Sequence, residues 1–398
     1  MINYFSNPGK VILLLVFLFL CLVGCGSQVS NNEEFLVQVN ESGPSQETEP
    51  QENVATLVVV GDIMVHDTQI AQAYDSKTGT YNFDESLSEV ASYLKEGDLT
   101  LGNLETTLAG EDLQYSGYPQ FNTPESLAKT LKNVGFDLLF TANNHTYDRR
   151  ELGVVRTIEN LKAYGLESVG TRQAAEEEGL LLKEVNGIKM AFLAYTYGLN
   201  GFSLPEGKEY LVNLLELERI LSDIQKVRRQ ADLVICYLHF GQEYSNMPTD
   251  EQRKIVELLC AEGVDIVLGS HPHVLQEIWL NENRTKMAIY SMGNFVSSQK
   301  GLERTTSAIF RITILKDNLT GKVEIKAVEY IPIYTQRYVE HNKLKFKVIP
   351  ISYALRYRPY EFLEEKDYDT LEKALKHVQE TIAPPSSEVI KEYEVDMI

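Results

Sequence analysis

Cysteine is scarce in this chain, which has only 4 cysteines among 398 residues. Cys21 and Cys25 lie near the N-terminus, Cys236 lies in an apolar strand-like run, and Cys260 ends an apolar helix-like run. We expect Cys236 and Cys260 to be buried thiols that pack as small hydrophobic side chains, rather than a disulfide. Such low cysteine usage suits a domain whose core is large enough to fold without crosslinks.

Basic residues are also in deficit, because 37 Lys and Arg face 57 Asp and Glu and the formal net charge is −20. This charge argues against nucleic acid or anionic lipid as a binding partner. An anionic substrate is still compatible with it, because a bound divalent cation would supply a local positive site. No internal repeat is evident either, so a repeat architecture is not expected.

The chain lacks an apolar run long enough for a good membrane-spanning helix, which needs about 20 residues. Residues 11–23 are apolar and follow Lys10, the only charged side chain before them. This pattern predicts a signal peptide over residues 1–24. Leu22-Val23-Gly24-Cys25 resembles the bacterial lipobox. The alternative is an uncleaved helix with a chance cysteine.

The lipobox resemblance implies cleavage before Cys25 and acylation of its thiol, which would anchor the chain to the outer face of the cell membrane. Acyl chains contribute about 0.8 kcal/mol per buried methylene, so two or three of them hold firmly. Residues 25–53 are polar and predict a lipidated, flexible tether. The remaining chain is expected to form a domain over residues 54–300 and a completing segment over residues 301–398.

From residue 54 onward, short apolar runs alternate with amphipathic helical stretches, which predicts an α/β fold with mixed, largely parallel sheets. Asn186-Gly187 between two apolar runs predicts a hairpin. Thr123-Pro124 predicts a capped helix start, and a helix over residues 151–164 is expected to bury Leu152, Val155, Ile158 and Leu161. We predict strands at 56–60, 98–101, 136–141, 233–238, 264–268, 307–315, 323–331 and 344–351, and further helices at 87–94, 214–229, 250–261 and 370–382.

Polar side chains with metal-binding atoms follow several of the predicted strands. They are Asp62, Glu105, Asn144, His145, His239, His271 and His273. In open α/β sheets, binding sites form in the crevice outside the carboxyl ends of the strands. The pattern therefore predicts that these separated residues converge on one cleft.

The His271-Pro272-His273 run is the most specific of these pieces. Residues two apart in extended backbone point the same way, and Pro272 favours extended backbone at His271. Two imidazoles aimed at one place suit zinc, manganese or iron. The alternative is a pair of histidines that are satisfied within a loop.

Each carboxylate in this group has a second interpretation. Asp62 follows a buried strand and a glycine, so it needs a cation or hydrogen bonds, but it would also serve as a helix N-cap. Glu105 would bridge two metal ions about 3.5–4 Å apart, or would be a solvated loop residue.

Asn144 and His145 offer an amide oxygen for a metal and an imidazole for general acid chemistry. Asp148, three residues later, would orient that imidazole. The alternative is that Asn144 and His145 cap the following helix. His239 is either a metal ligand or a structural histidine. If the chain turns helical after Asp62, His66 lies on the same face and would join the site, and the alternatives for His66 are packing or exposure to solvent.

Taken in order, these motifs resemble the CapA family of poly-γ-glutamate capsule synthesis proteins, which is similar to the calcineurin-like metallophosphatases. The resemblance covers about residues 56–299. The matching runs are Gly61-Asp62-Ile63-Met64, Asn103-Leu104-Glu105, Asn143-Asn144-His145, Tyr195-Thr196-Tyr197-Gly198 through Asn200-Gly201, His239-Phe240-Gly241-Gln242-Glu243-Tyr244, Gly269-Ser270-His271-Pro272-His273-Val274 and Ser291-Met292-Gly293-Asn294-Phe295.

The resemblance implies a four-layer sandwich of two mixed sheets flanked by helices, with a site for two divalent metal ions, Mn, Zn or Fe. It assigns Asp62, Glu105 and His273 to the first ion. It assigns Glu105, Asn144, His239 and His271 to the second. His145 would be the acid or hydrogen-bond donor beside the scissile group, and the ions would activate water.

Two positions depart from the hydrolytic relatives. Met64 stands where they usually carry a histidine, and Glu105 stands where they use an aspartate as the bridging carboxylate. Either the first ion is held more weakly, or His66 replaces the missing ligand. These departures bear on catalysis more than on the fold.

The family resemblance leaves three functions open, all within poly-γ-glutamate capsule synthesis or export. The chain is a metal-dependent hydrolase or transferase acting on an anionic polymer or phosphoester, a scaffold for polyglutamate synthase or export subunits, or a module that binds the polymer without turnover. A phosphoesterase unrelated to capsule is a further alternative. Whether the protein is an enzyme is therefore left open by its sequence.

Overall fold

The computed structural model describes residues 51–382 and 388–394. The expected signal peptide, the acylated Cys25 and all but the last residues of the expected tether lie outside the described residues. The first strand starts at Glu52, two residues before the expected start of the domain. Among the described helices, none combines the length and apolarity that a membrane crossing requires.

In the described part of the chain, the strands form two large sheets and one small hairpin. Their bounds are β1 (Glu52–Ile63), β2 (Tyr74–Asp75), β3 (Thr80–Tyr81), β4 (Leu99–Leu104), β5 (Leu138–Phe140), β6 (Glu167–Val169), β7 (Leu181–Val185), β8 (Ile188–Thr196), β9 (Leu233–His239), β10 (Ile266–Ser270), β11 (Ile278–Leu280), β12 (Met287–Ile289), β13 (Asn294–Val296), β14 (Thr306–Asp317), β15 (Val323–Glu340), β16 (Lys343–Pro350) and β17 (Ile390–Glu392).

The first sheet has the order β16-β15-β14-β1-β4-β5-β6, with β13 beside β1 and β17 beside β15. Strands β1, β4, β5 and β6 run parallel, whereas β14 pairs antiparallel with β1. The second sheet has the order β11-β12-β10-β9-β8-β7, with parallel β12, β10, β9 and β8 between two antiparallel edge strands. Both sheets are therefore mixed, as expected.

Helices connect these strands and cover the outer faces. Their bounds are α1 (Asp67–Ala73), α2 (Asp84–Leu87), α3 (Ala91–Leu94), α4 (Ser126–Val134), α5 (Arg150–Ala163), α6 (Leu217–Val227), α7 (Asp250–Ala261), α8 (Leu302–Thr305), α9 (Ile351–Tyr357) and α10 (Glu365–Ile382). Asn186 and Gly187 both have positive φ, which is the geometry of the tight hairpin expected between β7 and β8.

The two sheets pack face to face around one apolar cluster, which includes Leu57 of β1, Phe192 of β8 and Leu268 of β10. Because side chains alternate along a strand, Val58 and Val60 point to the opposite face and join a second cluster with α4. A third cluster joins the outer face of the second sheet to α6 and α7. Helix, sheet, sheet and helix thus form the expected four-layer sandwich, and Cys236 and Cys260 are buried free thiols within it.

Two local expectations were wrong. Helix α5 buries Leu161 as expected, but it buries Val154 and Thr157 in place of Val155 and Ile158, which are half-buried, and Leu152 is 44% exposed. Thr157 is accommodated because its hydroxyl donates to the Gly153 carbonyl and accepts from the Leu108 backbone N–H. Thr123 does not cap α4, because its hydroxyl instead pairs with that of Thr106 at 2.8 Å and the helix starts at Ser126.

Candidate metal centre

The ends of β1 and β4 place two polar side chains side by side. Asp62 is in register with Asn103 of β4 and with Asn294 of β13. Gly61 makes this possible, because a Cβ at that position would lie 1.9 Å from the Gly293 carbonyl oxygen. The Asp62 backbone N–H donates to the same oxygen at 2.9 Å, which fixes where the Asp62 side chain begins.

Strands of the second sheet bring histidines to the same place. His239 ends β9 in register with Ser270 of β10, and His271 and His273 follow directly. One nitrogen or oxygen from each of Asp62, Glu105 and His239 lies within 4.8 Å of the others. His239 Nε2 is 3.6 Å and His273 Nε2 is 3.8 Å from Glu105 Oε1. The expected convergence of separated segments is therefore observed.

The electrostatics of the carboxylates are those of a site that needs a cation. Glu105 is fully buried, and burial together with the adjacent Asp62 raises its pKa well above the usual range. Burial acts in the same direction on Asp62, but hydrogen bonds from His273 and Asn103 outweigh it and lower the Asp62 pKa. Glu105 Oε1 is buried with no hydrogen-bond partner among the described residues.

His239 and His271 are held neutral. Burial, followed by the proximity of His271 and His273, lowers the pKa of His239 well below its usual range. Burial likewise lowers the pKa of His271 to about 4, and its Nδ1 is buried without a partner among the described residues. Neutral imidazoles and ionised carboxylates are the forms that bind metals.

Hydrogen bonds from neighbouring residues orient these ligands. His273 Nδ1 lies 3.1 Å from both Asp62 Oδ2 and Asn294 Oδ1, so it is the donor nitrogen and leaves Nε2 available. His239 Nδ1 lies 2.9 Å from the Tyr237 hydroxyl, and His239 Nε2 lies 2.9 Å from Asn144 Oδ1. Such partners of a ligating histidine fix its ring orientation.

The backbone of the His271-Pro272-His273 run is not extended, and that expectation was wrong. His271 has a φ of 103° and His273 a φ of 60°. Both values are unfavourable for residues with a Cβ and are tolerated where the surroundings hold the backbone in place. The rings nevertheless converge, with their centroids 6.1 Å apart.

His145 lies beside this group and is tied to Asp148. Its Nδ1 is 2.8 Å from Asp148 Oδ2, which also accepts from the Phe121 backbone N–H at 2.7 Å. Phe121 packs edge-on against the His145 ring at 4.7 Å. This arrangement places the proton on Nδ1 of the neutral ring and leaves Nε2 for chemistry.

A cavity of about 340 Å³ opens onto His145 and His273, and we refer to it as the metal cleft. It is lined by Met64, His66, Tyr118, His145, Glu243, Tyr244, His273, Ser298, Gln299 and Lys300. His66 Nδ1 accepts from the Ser298 backbone N–H at 3.4 Å, and burial lowers the His66 pKa to about 4. Whether His66 replaces the ligand missing at Met64 stays a prediction.

Several alternative interpretations of these residues, in which they are helix caps or solvated loop residues, are wrong. Asp62 caps no helix, because α1 begins at Asp67 with His66 as its N-cap. Glu105 is not a solvated loop residue, because it is fully buried. Neither Asn144 nor His145 caps α5, whose N-cap is Arg149. The six expected ligands are close neighbours, since Asp62, Glu105 and His239 offer atoms within 4.8 Å of one another, His239 also contacts Asn144 and His271, and His273 approaches Glu105. Their roles as ligands stay predictions.

The sequence interpretation missed the amides that organise the site. Asn103 Nδ2 donates to Asp62 Oδ1 at 2.8 Å and to Glu105 Oε2 at 3.3 Å. Asn143 Nδ2 donates in turn to Asn103 Oδ1 at 3.1 Å. The signal that would have found them is position, because Asn103, Asn143 and Asn294 all lie in the runs that hold the expected ligands or follow a glycine at a strand start.

A divalent cation fits this set of donors. The carboxylates, imidazoles and Asn144 amide are borderline or hard ligands that suit Mn, Zn or Fe. The unpartnered Glu105 Oε1 and His271 Nδ1 are the atoms that a cation would satisfy.

Known proteins match the part of the chain that carries the expected ligands. Residues 56–299 match the family model described as bacterial capsule synthesis protein PGA_cap. The chain is 30% identical over 281 residues to the capsule biosynthesis protein CapA of Bacillus anthracis, covering 68% of this chain and 66% of that one, just under two thirds. It is 28% identical over 303 residues to the PGA biosynthesis protein CapA of Bacillus subtilis, covering 75% of this chain and 77% of that one.

Solved structures with some likeness include the calcineurin-like phosphoesterase YfkN of Bacillus subtilis, with a TM-score of 0.41, 13% identity and coverage of 83% of this chain and 98% of that chain. Another is the NAD nucleotidase of Haemophilus influenzae, with a TM-score of 0.46, 12% identity and coverage of 87% and 65%.

Proposed function

Because the chain belongs to the family of bacterial capsule synthesis proteins described as PGA_cap, we propose that it acts in the synthesis or export of poly-γ-glutamate capsule. It does so as a lipid-anchored protein on the outer face of the cell membrane. Its metal cleft hydrolyses or transfers an anionic substrate, either the polymer or a phosphoester.

One observation carries the enzymatic part of this proposal. Asp62, Glu105 and His239 offer ligand atoms within 4.8 Å of one another, and Glu105 Oε1 is buried without a partner among the described residues. An unpaired buried carboxylate is costly, and proteins keep such groups mainly where a cation or chemistry requires them. A purely structural role would not require the two buried carboxylates of Asp62 and Glu105 to lie next to each other.

Asp62, Glu105 and His273 would hold one ion, and Glu105, Asn144, His239 and His271 the second. Bound there, the ions would supply Lewis acidity and activate a water at neutral pH. The chain's own residues do the rest. Asn103 holds both carboxylates in place, and Tyr237 orients the His239 ring.

His145 is the residue that moves a proton. With Nδ1 bonded to Asp148, its Nε2 carries a proton in the charged ring and donates it to the departing oxygen or nitrogen of the substrate. The Phe121 ring packs against its edge and limits its movement.

The test uses the full chain purified in detergent. We expect stoichiometric Mn, Zn or Fe by elemental analysis, and hydrolysis of bis-p-nitrophenyl phosphate or of γ-linked glutamate oligomers. His145→Ala should keep its metal and lose about 10²–10⁴-fold in turnover, because general acid catalysis contributes that much. His341→Ala is the control, since the His341 side chain is 91% exposed.

Wild-type protein without stoichiometric metal would contradict the enzymatic proposal. Capsule production by cells that carry only His145→Ala is the second measurement. Unchanged capsule in those cells would favour the scaffold function over catalysis.

A further inference from the structure

A second cavity adjoins the metal cleft and shares two wall residues with it. This side cavity has a volume of about 420 Å³, within the range of about 300–1,000 Å³ typical of ligand sites. Gln299 and Lys300 line both cavities. Its other walls include Arg337, Phe346 and the hydroxyl side chains of Ser297, Thr305 and Thr335.

The shared wall is connected to the expected ligands. Gln299 Oε1 accepts from Asn294 Nδ2 at 3.0 Å, and Asn294 Oδ1 lies 3.1 Å from His273 Nδ1. A molecule that touches Gln299 from the side cavity is therefore two hydrogen bonds away from His273. The side cavity is placed to hold a part of a ligand whose reacting part lies in the metal cleft.

The charge of the side cavity differs from that of the molecule. The protein carries a net charge of −20, yet the residues lining this cavity include Lys300 and Arg337 and no aspartate or glutamate. Neither cation forms an ion pair with any residue that the structure describes. Neighbouring cations do, since Lys345 pairs with Glu85 and Lys347 with Glu89.

Arg337 is held in a geometry that suits a carboxylate. Its guanidinium carbon lies 5.3 Å from the ring centroid of Phe346, its cross-strand partner, which is buried. A guanidinium that packs on a ring keeps the edges of its plane free, and those edges bind a carboxylate through two parallel hydrogen bonds. Threonine and serine hydroxyls around it would solvate a polar main chain.

We propose that the side cavity binds an anionic polypeptide chain that continues beyond the metal cleft, with Lys300 and Arg337 each pairing with one of its carboxylates. This inference rests on the proposed function, which it deepens by naming the substrate as a carboxylate-bearing polymer. A small phosphoester would fill the metal cleft and leave the side cavity without a role. Two cations on different elements match a ligand with repeated charges.

The experiment measures binding of γ-linked glutamate oligomers, two and six residues long, to the full chain in detergent by titration calorimetry. The hexamer should bind more tightly than the dimer, because only the hexamer reaches both cavities. In Lys300→Ala/Arg337→Ala the hexamer should lose about three- to tenfold in affinity, as expected for two exposed ion pairs. The advantage of length should disappear with it, and in wild type it should shrink at about 0.5 M salt.

Lys326→Ala/Arg229→Ala is the matched control, because both residues are exposed, line neither cavity and carry the same total charge. Thermal melts establish that each variant is folded. Equal hexamer affinity in the two double variants would overturn the inference, as would equal affinity of wild type for dimer and hexamer.

The side-cavity inference and the enzymatic proposal can be contradicted independently of each other. Hexamer binding that depends on Lys300 and Arg337 in a protein without metal supports the side cavity and contradicts the enzymatic proposal. A metal-loaded phosphoesterase that binds both oligomers alike supports the enzymatic proposal and overturns the side cavity.

Discussion

The Asp148 carboxylate joins His145 to the loop at Phe121 through a single oxygen, Oδ2, which accepts from His145 Nδ1 and from the Phe121 backbone N–H. We expect Asp148→Asn to lower kcat by about 10–100-fold, the usual effect of losing such a supporting partner. KM and metal content should stay the same, because Asp148 positions the imidazole and does not hold the ion.

Steady-state kinetics and elemental analysis of this variant provide the check. Asp112→Asn is the control, because Asp112 pairs with Arg156 at the surface. A rise in KM at constant kcat would show that Asp148 shapes the binding site instead of orienting His145.

His66 makes folding sensitive to acid. Burial lowers its pKa from the usual 6.5 to about 4. Between these values the unfolded chain binds a proton that the folded chain does not, so stability falls as the pH drops from 6.5 to 4. In His66→Gln this fall in the free energy of unfolding should be about 1–3 kcal/mol smaller than in wild type.

Urea unfolding of metal-free protein at several pH values measures the difference. His239 and His271 contribute in the same direction, so the wild-type curve keeps a slope when His66 is removed. His341→Gln should leave the curve unchanged, since that side chain is exposed. Parallel curves for wild type and His66→Gln would contradict the prediction.

Single residues also show where sequence reasoning ends. Asp62, Glu105 and the histidines could be found, because each follows a strand and carries an obvious ligand atom. The position of Asn103 and Asn294 in the ligand-bearing runs singles them out, but their role could not be predicted, since an amide that orients a carboxylate looks like any other amide until its partners are known. The left-handed φ values of His271 and His273 depend on tertiary contacts that no local pattern encodes.

At the scale of elements, the close approach of β1 to Gly293, the residue before the paired strand β13, fixes the position of Asp62. Gly61→Ala would place a Cβ 1.9 Å from the Gly293 carbonyl oxygen, and this is a backbone atom that moves only with its strand. We expect a loss of more than about 3 kcal/mol in the free energy of unfolding, or a displaced β13. A displaced β13 would also shift Asp62, and the protein would then bind less metal.

Gly198→Ala is the matched control, because Gly198 has a negative φ and no atom lies within 4 Å of an added Cβ. Chemical denaturation and metal content are measured on both variants. Equal stability of the two variants would contradict the prediction that the contact of Gly61 with Gly293 limits the side chain at position 61.

Long, regular elements were predictable, and short or crowded ones were not. Helix α7 begins at Asp250 as expected, because Thr249 and Gln252 form a capping box that the sequence contains. Strand β13 has only 3 residues and escapes any periodicity argument. The buried face of α5 was predicted wrongly, because it includes Thr157 and excludes Leu152. Thr157 can be buried since its hydroxyl bonds to the Gly153 carbonyl and to the Leu108 backbone N–H.

At the scale of the whole molecule, the site exists only where two sheets meet. Asp62 and Glu105 come from the first sheet, whereas His239, His271 and His273 come from the second. Their ligand atoms are close because the apolar cluster between the sheets sets the distance between the layers. Sequence order predicted which strand ends carry ligands, but the relative placement of the two sheets follows from packing across the entire chain.

The family match ends at residue 299, yet the first sheet does not. Strand β14 pairs antiparallel with β1 from Glu52 to Val59, so β1 is an interior strand only when the C-terminal segment is present. Strand β14 also buries Ile309, Phe310 and Ile312. Each such side chain is worth about 1.5–3 kcal/mol, and their sum approaches the total of about 5–15 kcal/mol that stabilises a domain.

A chain ending at Gln299 should therefore lose cooperative unfolding and aggregate, because the open edge of β1 and the uncovered core are exposed together. A chain ending at Glu394 is the control and should melt as wild type does. Circular dichroism during heating, with and without added Mn²⁺, makes the comparison. If the shorter chain unfolded in one sharp transition that shifts upward with the metal, the matched region alone would be the folding unit, and strands β14 to β17 would be an appendage.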